Sequence, residues 1–361
     1  MRIGIIDADL IARSKHRFPN LACMKISGFH KAQGDQVELL TSFQVLGWDK
    51  IYLSKVFTDT EVPGELLSAP NVICGGTGFY YDKAPDLPYE IEHSFPDYHL
   101  YDAWVQSKLT AGGKPKDYVY YTDYSIGFLT RGCFRKCEFC VNKKYDRCVP
   151  HSPLSEFLDP ERKKICFLDD NFFACPKWET LIQDVIATGK RFQFKQGLDF
   201  RLLTDKKIHS LVTWKYATDF TFAFDHIADR EVIERKLQRF RQMYPSFKKN
   251  LRFFVLCGYN NIVGGVYNNS FFVLDIKDTF ERCRILRRYN ALPYIMRYRE
   301  IYGTKYEGIY SDISAWCNLP SCFRKMSFRQ FCLKRGDAAR LYMDEFESEH
   351  PDIAKEYFDG I

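Results

Sequence analysis

The chain has 361 residues, 46% hydrophobic and 16% aromatic, which excludes a disordered polypeptide and suffices for two ordinary domains or a large one with an extension. Basic residues exceed acidic ones by six, a balance that suits a nucleic-acid or phosphate-bearing substrate without arguing for one. Thirteen cysteines, an odd number scattered along the chain, exclude a disulfide framework.

Asp7 and Asp9 interrupt the short apolar opening, so no signal peptide is expected. No stretch approaches the roughly 18 apolar residues of a membrane span. The expected location is therefore the cytoplasm, with no membrane partner.

Arg2–Asp7 reads as a short apolar strand and 21–33 as a helix ending near Gly34. Further strands follow at 37–40, 50–53 and 71–74, the last running into Gly75-Gly76-Thr77-Gly78. This alternation predicts a small α/β layer with a parallel sheet. From 80 to 101 the composition turns to Pro, Asp, Tyr and Glu without periodicity, and the segment reads as an extended linker. A second series begins with a strand at 124–129 that leads straight into a cysteine-rich loop. Strands at 164–168, 192–195, 220–224, 251–256 and 292–296 continue it, making six. Helix signals separate nearly all of them: 178–188 before Gly189, one from a cap at Thr204 to about 212, 230–243 capped by Asp229, and 278–289. The first crossover is the weakest, with only 153–158 helical, and the region 311–361 reads as helical and polar.

Repeated strand–helix units place their chemistry after the carboxyl ends of the strands. The polar residues there are Asp169-Asp170-Asn171, Gln196-Gly197-Leu198-Asp199, Asp225-His226, Gly258-Tyr259-Asn260 and Arg297.

The segment 130–142, TRGCFRKCEFCVN, holds Cys133, Cys137 and Cys140 with no fourth cysteine. Arg131, Arg135, Lys136, Lys143 and Lys144 mark the loop as exposed, and crowded exposed thiols oxidise unless ligated. A soft-metal centre is the expected use. Zinc would need a fourth ligand, for which Cys148 and His151 are the local candidates; that alternative describes a zinc-stabilised nucleic-acid-binding protein. An iron–sulfur cube held by three cysteines would instead leave one iron open to a small molecule.

Cys133-Phe134-Arg135-Lys136-Cys137-Glu138-Phe139-Cys140 resembles the CxxxCxΦC signature of radical S-adenosylmethionine (radical SAM) enzymes, with Phe139 as the aromatic. The resemblance covers 116–310, since in that family the motif follows the first strand of a partial (β/α)6 TIM-like barrel. It implies that Cys133, Cys137 and Cys140 ligate a [4Fe-4S] cluster whose open iron chelates S-adenosylmethionine. It further implies reductive cleavage to a 5′-deoxyadenosyl radical that acts on a substrate the residues do not name. An electron donor such as flavodoxin or ferredoxin is the implied partner. Phe139 would lie near the adenine. The family's Gly-Gly-Glu segment is absent, and Phe167-Leu168-Asp169-Asp170-Asn171-Phe172 stands in its place, resembling a DD-x-F variant. Asp169 or Asp170 would there accept from the methionine ammonium group. Gln196, Asp199, Arg201, Asp225 and Gly258 are further implied cofactor contacts.

Residues 1–110, through the strand NVICGG, resemble the flavodoxin-like, cobalamin-binding domain of one subgroup. The DxHxxG segment that supplies its cobalt ligand is absent, and neither His16 nor His30 lies in that pattern. A vestigial fold is expected ahead of cobalamin bound without a histidine. The expected chain is thus an α/β protein: 1–110 with its linker, 116–310 as the partial barrel, and 311–361 as a helical extension.

Other signals are weaker. A methylthiotransferase would carry cluster cysteines in the N-terminal region, where only Cys23 and Cys74 occur. Gly75-Gly76-Thr77-Gly78 lacks the Lys-Ser/Thr of a P-loop. Cys317, Cys322 and Cys332 are too loosely spaced for an auxiliary cluster and read as buried thiols. The basic runs 235–249 and 282–288 read as solvated helix faces. No Ser-His-Asp or HExxH arrangement marks a catalytic acid, base or nucleophile.

Overall fold

Arg2–Asp7 (β1) is buried at every position but its first, as a strand covered on both faces requires. In the computed structural model, which describes residues 1–262 and 264–360, it lies inside a parallel sheet. Its neighbours are β2 (Gln36–Leu39) and β3 (Lys50–Ser54), with β4 (Val72–Gly75) beyond, in the order β2-β1-β3-β4. Ile3 sits opposite Val37 on one side and Lys50 on the other. The helix Leu21–Ala32 makes the first crossover, capped by the Asn20 side chain, which accepts from the amides of Ala22 and Cys23.

The helix and sheet bury Ile3, Ile5, Met24 and Ile26 together with Ile91, Tyr98, Leu100 and Tyr101. The stretch expected as an extended linker is therefore part of the core. It contains the short helix Tyr89–Glu92 and drops one large side chain at a time into the layer beneath, a pattern with no period to detect.

The next strands are β5 (Tyr124–Gly127), the two-residue β6 (Thr130–Arg131) and β7 (Val149–Pro150), then β8 (Lys164–Phe167) and β9 (Arg191–Phe194). β5, β8 and β9 form a three-stranded parallel sheet in that order, with Ile126 opposite Cys166 and Cys166 opposite Gln193. The crossover expected to be helical over 153–158 is a single 3-10 turn, Leu154–Glu156, whereas Trp178–Ala187 forms the expected helix before β9. Tyr98 ties the earlier layer to this sheet: its hydroxyl accepts from the Ile126 amide at 2.8 Å and donates to the Phe157 carbonyl at 2.6 Å. Met1–Gln196 form one compact unit and 197 onward a second.

In the second unit β10 (Phe220–Ala223), β11 (Leu251–Cys257) and β12 (Leu292–Arg297) form another parallel sheet, with Phe222 opposite Phe253 and Phe253 opposite Pro293. Thr204 caps Asp205–Thr213 as expected, its side chain accepting from the Lys207 amide. Arg230–Met243 buries the stripe Ile233, Leu237 and Phe240. Asn269–Arg288 begins well before the expected 278, because Asn268 supplies a cap to the Phe271 amide. The helices Glu307–Cys317, Pro320–Lys325, Phe328–Arg335, Asp337–Glu349 and Pro351–Tyr357 complete the unit around the buried Trp316.

The architecture is thus mixed α/β with parallel sheets and many helices, and the six expected strands pair as two sheets of three. No helix among the described residues is long and apolar enough to cross a membrane.

Candidate functional site

The cysteine loop is pinned at its neck. β6 and β7 pair antiparallel, Thr130 opposite Pro150 and Arg131 opposite Val149, and the His151 amide donates to the Leu129 carbonyl at 2.8 Å. Gly132 leaves the neck with φ +96°, and a Cβ on it would stand 2.3 Å from the Arg147 carbonyl oxygen. Only glycine lets the outgoing chain pass the returning one there. Farther out, Lys136 Nζ donates to the carbonyl of Lys143 at 2.6 Å and pairs with Asp146 at 2.7 Å, tying the loop across its width.

The two aspartates after β8 hold the beginning of this loop. Asp169 is wholly buried; its Oδ1 accepts from the Thr130 amide at 2.8 Å and hydroxyl at 2.6 Å, and its Oδ2 from the Leu129 amide at 3.1 Å. Asp170 Oδ2 accepts from the Gly132 amide at 2.7 Å. The carboxylates expected to meet a methionine ammonium group are therefore engaged with backbone three and four residues ahead of Cys133 and next to it. Burial pushes Asp169 up to about 7 against those three donors.

Cys133, Cys137 and Cys140 are all half-buried. Cys133 Sγ accepts from the Arg135 amide at 3.4 Å and from Asn171 Nδ2 at 3.3 Å, and Cys140 Sγ accepts from the Asn142 amide at 3.4 Å. N–H groups aimed at sulfur favour the thiolate, the form that ligates metal. Burial still raises the Cys140 thiol, with the Asn142 amide opposing. As a donor set, three thiols on one loop fit an iron–sulfur cluster. No three His, Cys, Asp or Glu side chains among the described residues are gathered into a metal-ligating group, so ligation would have to draw the sulfurs together, coupling binding to local folding.

Neither local candidate for a fourth zinc ligand is turned to the loop's thiols. Cys148 is buried beside Thr130 and Cys175, and burial pushes it up to about 12. His151 Nε2 is hydrogen-bonded to Glu92 Oε1 at 2.9 Å. Glu92 also meets Lys25 Nζ at 3.0 Å; burial opposes its ionisation, but His151 and Lys25 prevail and hold it down to about 2.

Phe139 is half-buried, and its carbonyl accepts from the Tyr81 hydroxyl at 3.2 Å. Tyr81 has φ +50°, a conformation that costs a bulky residue about 1–3 kcal/mol. Gln196 is exposed.

In the second unit, Asp199 accepts from Arg201 Nε at 2.8 Å, and Arg201 reaches Asp229 at 2.7 Å. Asp229 therefore stands at the start of Arg230–Met243 without capping it through its side chain. Asp225 Oδ1 accepts from the Leu256 amide at 3.1 Å, while the Gly258 amide donates to Asp275 at 2.6 Å. Arg282, expected on a solvated basic face, is 2% exposed. Its guanidinium donates to the carbonyls of Phe224, Asp225 and Leu256 at 3.2, 2.7 and 2.9 Å, bracing the carboxyl ends of β10 and β11. Cys317 does not join Cys322 and Cys332 but meets Cys283, Sγ to Sγ 3.6 Å. Sequence reasoning missed Thr130, Gly132 and Arg282. A glycine directly before the first cysteine was a legible signal; nothing local marks the other two.

The N-terminal sheet reverses its winding between β1 and β3, where open α/β sheets receive ligands. Here that point is filled. The Tyr101 hydroxyl donates to Asp7 at 2.9 Å and accepts from the Asn20 amide at 3.1 Å, and Asn20 Nδ2 donates to Ser54 at 2.8 Å. At β4, a Cβ on Gly76 would stand 2.3 Å from the Lys55 carbonyl oxygen, so those glycines admit a neighbouring loop of the chain itself. These residues do not fit a ligand as large as cobalamin.

Burial also pushes Asp7 up to about 7. Asp7 and Asp169 thus have folded values above the ~3.9 of an unfolded aspartate. Between about pH 4 and 7 the folded state holds protons the unfolded chain has released, so their contribution to stability declines as pH rises through that window. Urea unfolding of the parent is expected to lose about 1.4 kcal/mol per pH unit for each group. Asp7→Asn, which keeps an acceptor for the Leu10 amide, is expected to lower that slope by about 1.4 kcal/mol per pH unit; an unchanged slope would refute the assignment. Glu92 has the opposite sign, its contribution being lost as pH falls from about 4 through about 2.

No family model matches the chain, and no curated protein does. Among solved structures, the apo, selenomethionine-labelled, cobalamin-dependent S-adenosylmethionine radical enzyme OxsB is similar, with a TM-score of 0.38 and 13% sequence identity. The match covers 99% of this chain and 56% of that one, so the chain spans little more than half of that protein. A likeness so distant carries no residue from one chain to the other.

Proposed function

We propose that this protein is a radical SAM enzyme whose cluster is held by Cys133, Cys137 and Cys140. The observation that carries the reading is three thiols in C-x3-C-x2-C spacing on a loop whose neck is fixed to the end of the β5 sheet by Asp169 and Asp170. A bound [4Fe-4S] cluster supplies the electron that cleaves S-adenosylmethionine to methionine and a 5′-deoxyadenosyl radical. The chain's own residues hold and orient. Asp169 and Asp170 position the loop, and Phe139 would lie near the adenine, as the family resemblance implies. Gln196, Asp199, Arg201, Asp225 and Gly258 are proposed cofactor contacts on the strength of the family resemblance. The same resemblance proposes 116–310 as the catalytic partial barrel, 1–110 and 311–361 as its companions, a cytoplasmic setting, and a flavodoxin or ferredoxin as electron donor.

Anaerobic reconstitution with iron and sulfide, followed by reduction with S-adenosylmethionine present, tests the proposal. The expected result is iron–sulfur absorption and 5′-deoxyadenosine, both lost in Cys137→Ala and both kept in Cys148→Ala. A colourless protein with stoichiometric zinc that Cys148→Ala releases would instead establish the zinc-binding alternative.

A further inference from the structure

The loop that carries the thiols also concentrates charge. Residues 130–150 contain six basic side chains and two acidic ones, against a net charge of +6 for the whole chain. The charges alternate with rings. Phe134 is 45% exposed with the Arg135 guanidinium 4.9 Å from its centroid, and Lys144 Nζ lies 5.1 Å from the Tyr145 centroid. Tyr81, 43% exposed, is held against the loop by its hydrogen bond to the Phe139 carbonyl.

We propose that this face binds a single-stranded polynucleotide, which, resting on the radical SAM reading, makes a nucleic acid the substrate class. Cations interleaved with exposed rings match a strand's alternation of phosphate and base, because every base offers a π-face and every linkage a charge. A duplex would hide its bases, and this face offers no helix to enter a groove. An acidic protein would satisfy the cations and leave the rings without a role. The ion pairs now made by the lysines, Lys143 with Glu138 at 3.3 Å and Lys144 with Asp86, are surface pairs that phosphate readily replaces. Arg147 at the loop's return is exposed as well. Lys136 is excluded from this role, since its ammonium closes the loop on itself.

Fluorescence anisotropy with fluorescein-labelled RNA and DNA single strands of about 20 nucleotides tests the proposal on the full chain, before and after reconstitution. Binding of either strand in the micromolar range at about 50 mM salt, weakening steeply by about 200 mM, is expected. The double substitution Lys143→Ala with Lys144→Ala is expected to weaken binding at least tenfold and to lower the salt slope by about two. Phe134→Ala is expected to lose about fivefold or more through stacking. All three side chains are surface groups outside the proposed catalytic machinery, so thermal melts should match the parent. Absence of binding in both states overturns the proposal, as do variants that bind like the parent. Tighter binding of duplex, or displacement by polyglutamate as effective as by unlabelled strand, overturns it in favour of a different occupant. Because the assay needs neither cofactor nor reductant, its failure leaves the 5′-deoxyadenosine result standing, and the reverse holds too.

Discussion

Gly132→Ala is expected to disable the cysteine loop while leaving the rest of the chain folded. The new methyl would meet the Arg147 carbonyl oxygen at 2.3 Å and the Tyr145 Cβ at 2.8 Å, on a backbone with φ +96°. Left-handed backbone costs an alanine about 1–2 kcal/mol, and overpacking adds about 1–3 kcal/mol. The neck that resists this strain is a two-residue ladder, so the loop opens before the sheets do. Once the outgoing strand shifts, the Gly132 amide leaves Asp170 and the thiols lose their common base. Iron retained after reconstitution should fall at least to a tenth. Trypsin should cut faster at Arg135, Lys136, Lys143 and Lys144, a readout that needs no metal. Gly34→Ala is the control: it has φ +81° with nothing within 4 Å, so it carries the strain without the collision. If both variants hold iron and resist trypsin alike, the close approach at Gly132 does not govern the loop.

The second large effect belongs to Arg282→Met, expected to destabilise the second unit by about 3–5 kcal/mol. Methionine fills much of the same volume but donates nothing. The carbonyls of Phe224, Asp225 and Leu256 would be left buried, as would the Thr279 hydroxyl that now accepts from the guanidinium at 2.9 Å. The charge matters as much as the hydrogen bonds. Burial raises both Asp225 and Asp275, and Arg282 pulls both down. Without it their folded values climb further, the folded state takes up more protons, and stability declines more steeply as pH rises. The deficit in urea unfolding should accordingly be larger at pH 8 than at pH 5. A deficit below about 1 kcal/mol, or one indifferent to pH, would show that Arg282 is a packing residue only.

These two residues mark the limits of what the sequence makes legible. The strand before the cysteine loop and the stripe Ile233, Leu237 and Phe240 are local patterns, and both fold as they read. Gly132 was visible as a letter but not as a crossing, since the chain it must clear returns only at Tyr145 and Arg147. Arg282 was misread because its neighbours Arg284, Arg287 and Arg288 are less buried, and a periodic charge run says nothing about the one position that points at strand ends. The thiols show the same rule. Cys317 and Cys332 are buried as expected and Cys322 is half-buried, but no local pattern shows that the fold sets Cys317 against Cys283 from the preceding helix. Residues 80–101 failed differently: their anchors Ile91, Tyr98 and Tyr101 are real core residues set among prolines and acids that mimic a linker.

Tyr98 also limits what this chain could discard. β5, the strand that launches the cysteine loop, draws one backbone hydrogen bond from a side chain in the earlier layer, and Arg162 stacks 4.7 Å over the same ring while donating to the Tyr98 carbonyl at 2.8 Å. Deleting the layer would leave the Ile126 amide without its partner and strip the buried Arg162 guanidinium of its stacking ring and one acceptor at the root of the site. A domain whose ligand crevice is filled by its own tyrosine is thereby kept in place by mechanical dependence, as masonry beneath the loop.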